Sequence, residues 1–194
     1  MNIEDINFQM QQLALAIGYK DFNKNTSKLK EAMCSAKIKE GKQDRKNEKL
    51  ALVGDSILDL TIVEIGYKTD LLKGNIDDLR KVLANNKMQY KIFNDEKLLK
   101  YAYNDLHFAI ENKQITDNEK VSISEKDFQY LEAIIGAIYY DKNLEEAKYF
   151  VRTWYLPKAK EIAIKNIKII QDKGYKINID QLNALVFVQK KQGK

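Results

Sequence analysis

The sequence has little that bends or breaks a helix. One proline and eight glycines stand among 194 residues, and such scarcity of breakers favours helices over sheets. One cysteine, Cys34, excludes an internal disulfide and fits a reducing, intracellular compartment, cytoplasmic or nuclear. The one histidine, His107, has no second histidine or cysteine site beside it, so no zinc cage is expected and His107 reads as a core or helix-surface residue. No run of eighteen apolar residues is present, so no membrane span is predicted. The first acidic residues, Glu4 and Asp5, sit where a signal or transit peptide would carry none.

What is present suits a soluble globular chain. Hydrophobic residues make up 44% and charged residues 31%, which excludes a disordered tail and leaves enough apolar material for a core. The net charge of +5 suits a polyanionic partner, and equally an ordinary solubilising surface.

Helical periodicity divides the chain. Helices are predicted over 3–18, closed by Gly18-Tyr19, and over 26–37, where Cys34 belongs to the core. A polar loop follows at 38–46. Residues 47–66 are apolar on nearly all sides (Leu50, Leu52, Val53, Ile57, Leu58, Leu60, Ile62, Val63, Ile65), which implies cover from more than one direction. Further helices are predicted over 77–85, 97–111, 124–140 and 144–154. Pro157 then opens a Lys/Ile helix reaching about 173, and 176–194 is an apolar stretch with a basic end. Trp154 and Tyr155 read as core caps.

Two of these apolar helices carry acids. Glu48 and Asp55, seven residues apart, share one helical face. Glu132 stands ahead of a run containing Gly136 and Ala137, small residues that let helices approach. A carboxylate at such a crossing must be paired or hold a metal, because an isolated buried charge is costly. Clustered oxygen ligands suit Mg²⁺. Spacing alone leaves simple pairing with surface lysines as the commoner outcome.

Asn47 to Asp59 resembles the signature of the ribonuclease III family, Asn-Glu-Arg-Leu-Glu-Phe-Leu-Gly-Asp followed by a small-apolar run. The resemblance extends to Ile17-Gly18-Tyr19, Phe22, Leu29 and Ala32, to Gly74, Leu79, Arg80, Val82, Leu83 and Asn85, and to Glu132-Ala133-Ile134-Ile135-Gly136-Ala137-Ile138-Tyr139 with Asp141. It covers roughly residues 8 to 156. It implies an all-α, homodimeric endonuclease domain over 1–156 that hydrolyses double-stranded RNA with Mg²⁺, or Mn²⁺ in its place, and leaves short 3′ overhangs. Asp55 and Glu132 then match metal ligands, and Glu48 matches a glutamate that supports the site. Lys126 is a candidate match to a lysine upstream of the second acidic pair.

This chain departs from the pattern at two ligands. Ala51 replaces the second signature glutamate, and Gln129 replaces an aspartate three residues before Glu132. Gln129 remains a candidate ligand through its neutral oxygen, which is weaker. Asp127 lies about 200° from it on a helix and cannot substitute in register. Leu52 replaces a phenylalanine that plugs the partner subunit, and Leu52 and Ile57 are expected in the dimer interface. Residues 157–194 are read as a helical linker and basic tail. Asp180 to Leu185 with Lys190 and Lys191 resembles the start of a double-stranded-RNA-binding module, and these lysines are candidate RNA contacts. Two functions stay open. One is a Mg²⁺-dependent endoribonuclease, Dicer-like in product, in RNA silencing or processing. The other is a catalytically impaired relative that binds double-stranded RNA or scaffolds a ribonucleoprotein.

Overall fold

The structure is a computed structural model that describes residues 3–19, 27–34, 47–102 and 128–185. The expected loops at 38–46 and 112–122, most of the expected helix at 97–111, His107, Lys126, Asp127, Lys190 and Lys191 lie outside the described residues.

Every regular element described is helical, and the ends of each follow from local chemistry. Helix α1 is Ile3–Ala16. Gly18 closes it at φ 70°, with Tyr19 N–H donating to the Ala14 carbonyl at 2.8 Å and Gly18 N–H to Leu15 at 3.1 Å. This six-to-one and five-to-two pair needs a left-handed residue between, which glycine supplies without a Cβ penalty. Helix α2 is Ser27–Met33, α3 is Glu48–Lys68, and α4 is Lys73–Leu83. Helix α5, Asn86–Asp95, is capped by Asn85, whose side chain accepts from Met88 N–H. A short 3₁₀ turn, Leu98–Tyr101, follows. Then come α6, Tyr130–Asp141, and α7, Leu144–Phe150. A π-turn at Val151–Tyr155 joins α7 to α8, Leu156–Lys165, with Pro157 in its first turn, where a missing N–H costs nothing. Short helices α9, Ile167–Asp172, and α10, Ile179–Ala184, close the described part.

Several expectations change here. Residues 86–95, which the periodicity passes over, form α5. The expected helix at 97–111 opens as the 3₁₀ turn. The helix expected from 124 begins at Tyr130. The helix expected over 157–173 breaks at Asn166, whose side chain donates back to the Ile162 carbonyl at 2.7 Å. Such a local bond competes with helix continuation.

Helices α3 and α6 form the centre, and α6 is buried along Tyr130–Ile138. Buried Met10, Leu13, Ile17, Leu29, Met33, Leu58, Ile62, Leu79, Phe93, Phe128 and Tyr155 surround them in one core. Each such side chain contributes about 1.5–3 kcal/mol on leaving water. Ala159, Ala163, Ile177 and Leu182, beyond residue 156, join the same core. Trp154 stacks on Phe150 at 5.2 Å, and Tyr155 is buried with its hydroxyl donating to the Leu83 carbonyl at 2.6 Å. Cys34 is buried. No helix among the described residues is long and apolar enough to cross a membrane.

Helix α3 explains its own all-round apolar character. One face, with Leu50, Ala51, Gly54, Ile57, Leu58, Ile62 and Ile65, is buried within the chain. Another carries Leu52 at 70% exposure and Tyr67 at 80%, with Leu60 and Val63 also exposed. Ile57 is 5% exposed, so its side chain is committed to this chain's core. That removes it from the expected interface and leaves Leu52.

Candidate active site

The site sits where α3 crosses α6. A Cβ placed on Gly54 would overlap the Glu132 carbonyl, 2.6 Å from its carbon. One on Gly136 would overlap the Leu50 carbonyl, 2.8 Å from its carbon. The two backbones therefore touch through two glycines, and no side chain fits at either place. Asp55, next to Gly54, thereby lies near enough to Glu132 for its charge to act there.

Glu132 is 8% exposed, a carboxylate inside an apolar helix. Its Oε1 accepts from Gln89 Nε2 on α5 at 2.6 Å, and the same amide donates to the Ala84 carbonyl at 2.8 Å. Burial pushes the Glu132 carboxyl up to about 7. The Gln89 hydrogen bond opposes that rise, while the charges of Asp55 and Asp59 add to it. Asp55 is raised as well, first by burial and then by Asp59, against the pull of Arg80. Asp59 lies one turn beyond Asp55 and pairs with Arg80 of α4 at 2.5 Å, which also stands 3.9 Å from Asp77. The hydrogen bond to Asp59 raises Arg80 above its ordinary value. Asp55 and Asp59 thus place negative charge near Glu132, with Arg80 paired to Asp59.

Gln129 is the residue on which α6 begins, with φ −138° and ψ 1°, and not a position inside a helix as the sequence suggests. Its Oε1 is buried with no hydrogen-bond partner among the described residues. Glu48 is exposed in the first turn of α3, two turns before Asp55 on the same helix, where the helix dipole favours an acid. Ala51 is buried one turn before Asp55. Among the described residues, no three His, Cys, Asp or Glu side chains gather closely enough to form a metal cluster.

The sequence reading missed Gln89 and Asp59. Asp59 carried a signal, since it repeats Asp55 at i+4 on one face. Gln89 carried none, because α5 itself was not expected. Around Gln89 the last carbonyls of α4 are taken by side chains. Asn85 donates to Lys81 and Val82 at 2.7 and 2.8 Å, Tyr155 to Leu83, and Gln89 to Ala84. These are the groups a helix end leaves without partners, and satisfying them fixes the α4–α5 corner behind Glu132.

Known proteins resemble this chain. A family model described as ribonuclease-III-like matches residues 25–159. Ribonuclease 3 of Francisella tularensis subsp. holarctica (strain FTNF002-00 / FTA) is 30% identical over 146 residues, covering 74% of this chain and 60% of the relative. Ribonuclease 3 of Francisella tularensis subsp. novicida (strain U112) matches with the same identity and coverage. The matched region thus spans about 60% of the length of these curated relatives. A solved structure of the nuclease domain of ribonuclease III from Campylobacter jejuni superposes with a TM-score of 0.55 at 28% identity, covering 78% of this chain and 96% of that one. An all-helical fold with two helices touching through Gly54 and Gly136, matched by the family model over more than half its length, places this chain in the ribonuclease-III-like family.

Proposed function

We propose that this chain is a Mg²⁺-dependent endoribonuclease that cleaves double-stranded RNA as a homodimer. The observation that carries the reading is Glu132, a carboxylate buried against apolar neighbours and set beside Asp55 at the α3–α6 crossing. Two acids in one poorly solvated place resist ionisation. A hard divalent cation would hold both as carboxylates, and the unpartnered Gln129 oxygen supplies a third donor of the right chemistry. The donor set of Asp55, Glu132 and Gln129 therefore fits Mg²⁺ or Mn²⁺, and Glu48 supports it from the start of α3. When bound, the ion would lower the pKa of a water and neutralise charge on the scissile phosphate. Asp55 and Glu132 hold the ion, Arg80 restrains Asp59, and the buried α6 helix keeps Glu132 from turning into solvent.

The exposed stripe of Leu52, Leu60, Val63 and Tyr67 on α3 supports a self-complementary partner, since a twofold interface pairs the same patch on both copies. The Campylobacter jejuni nuclease domain is described as having a region involved in dimer formation. Residues 1–156 carry the site, and in the stretch that follows Lys190 and Lys191 supply contacts to phosphates. In this reading the products are Dicer-like and serve RNA silencing or processing inside the cell.

A second reading is favoured by a specific observation. Both replaced ligands, Ala51 and Gln129, are neutral, and no three-acid cluster stands among the described residues. The chain would then bind RNA without cutting it. Incubating the purified chain with a long RNA duplex and either Mg²⁺ or Mn²⁺ separates the two. Cleavage of the duplex, faster with Mn²⁺ and absent with chelator, supports the nuclease. Duplex binding with no cleavage at high Mn²⁺ supports the scaffold.

A further inference from the structure

We propose that Gln89 is a positioning residue for Glu132, a clamp that ties one carboxylate oxygen back into the protein and presents the other to a divalent cation. The inference rests on the reading of Asp55 and Glu132 as a metal site and adds a component outside its acidic residues.

The geometry supports a directional role. Gln89 is fully buried, and its Nε2 meets two acceptors, Glu132 Oε1 at 2.6 Å and the Ala84 carbonyl at 2.8 Å. Two acceptors on one side fix the amide orientation, because the flipped amide would set oxygen against oxygen. The other end, Oε1, is buried and has no hydrogen-bond partner among the described residues. A buried amide with half its hydrogen-bonding capacity unused costs stability, and an apolar side chain of equal volume would avoid that cost. The bond to Ala84 satisfies a carbonyl at the end of α4, among apolar neighbours Met88, Ile92 and Phe93. What the amide adds beyond that is an aimed hydrogen bond to Glu132.

That bond has a consequence for ligation. With Oε1 held by Gln89, Glu132 offers Oε2 in a fixed direction as a one-oxygen ligand. Partners that orient a metal ligand from behind typically account for about 10–100-fold in metal affinity or activity when removed. The bond also links the ligand to the α4–α5 corner, where Tyr155 and Asn85 hold the adjacent carbonyls. A site with two neutral substitutions among its donors depends more on the orientation of the carboxylates it keeps.

The test uses the full chain and two substitutions that remove the amide at similar volume, Gln89→Met and Gln89→Leu. Three quantities are read: Mn²⁺ binding to the RNA-free protein by calorimetry, the Mn²⁺ concentration for half-maximal cleavage, and the KM for duplex RNA. Thermal unfolding shows which variants are folded. The expected result is a roughly tenfold weaker Mn²⁺ affinity and a parallel rise in half-maximal Mn²⁺, with the KM for RNA unchanged. A folded variant that binds Mn²⁺ as tightly as the parent overturns the clamp, whether or not the parent cleaves RNA. If the parent binds Mn²⁺ in a Gln89-dependent way and cleaves nothing, the clamp stands and the nuclease reading falls. A parent that binds no Mn²⁺ overturns both.

Discussion

Replacing Glu132 by glutamine should make the metal-free protein more stable at alkaline pH while removing its catalysis. In the folded chain the Glu132 carboxyl titrates near 7, against 4.5 ordinarily, with burial as the main cause. The folded state therefore holds a proton that the unfolded state releases. Stability is unaffected below about pH 4.5, falls as pH rises through the interval up to 7, and stays reduced above it. Titration near 7 in place of 4.5 corresponds to about 3 kcal/mol. Glutamine keeps an acceptor for Gln89 and carries no charge, so it escapes that cost. Urea unfolding with chelator, at equal protein concentration, should show Glu132→Gln ahead by about 2–3 kcal/mol near pH 8 and nearly level with the parent near pH 4. At about 2–4 °C per kcal/mol the melting temperature at pH 8 would rise by roughly 4–12 °C. A variant less stable than the parent at pH 8, or an advantage independent of pH, would refute the buried and unfavourably ionised carboxylate on which the site is argued.

Other consequences follow from the same geometry. Gly54→Ala or Gly136→Ala should cost about 3 kcal/mol or more by chemical denaturation, because the added Cβ meets backbone, which yields less readily than a side chain. Lys148→Ala should cost about 1–3 kcal/mol, because Lys148 is buried against Glu64 at 2.6 Å while Arg152, 3.1 Å from Glu64, keeps that acid paired; a larger loss would contradict the shared pairing. Leu52→Glu with Leu60→Glu should leave circular dichroism unchanged and convert dimer to monomer in sedimentation at micromolar concentration. Gln129→Asp should raise Mg²⁺ affinity by about tenfold, or about 1.4 kcal/mol, read by calorimetry.

The sequence exposed the central pair of helices because their chemistry is dense. Gly54 and Gly136 inside apolar runs announce a close crossing, and the match of the acids beside them to the family signature outweighs the simple lysine pairing that spacing alone would favour. Other features were less readable for physical reasons. Helix α5 buries Met88, Gln89, Ile92 and Phe93, so a polar residue interrupts the apolar stripe that periodicity would detect. Its N-terminal signal, Asn85, was present but followed directly on a helix end. Gln129 looked helical because only the cap geometry separates it from Tyr130. An apolar helix such as α3 does not say which of its faces its own chain covers, so Leu52 and Ile57 were alike in sequence and differ in the fold, one exposed and one buried.

The central claim is that Asp55 and Glu132 make a metal-dependent site for cutting duplex RNA. The most direct measurement compares the parent with Asp55→Asn on a long RNA duplex in Mn²⁺, following cleavage and binding in the same samples. The account predicts that the parent cuts the duplex and that Asp55→Asn binds it undiminished yet cuts at least a hundredfold more slowly, a loss of about 2.7 kcal/mol or more. Equal cleavage by the two proteins would contradict it.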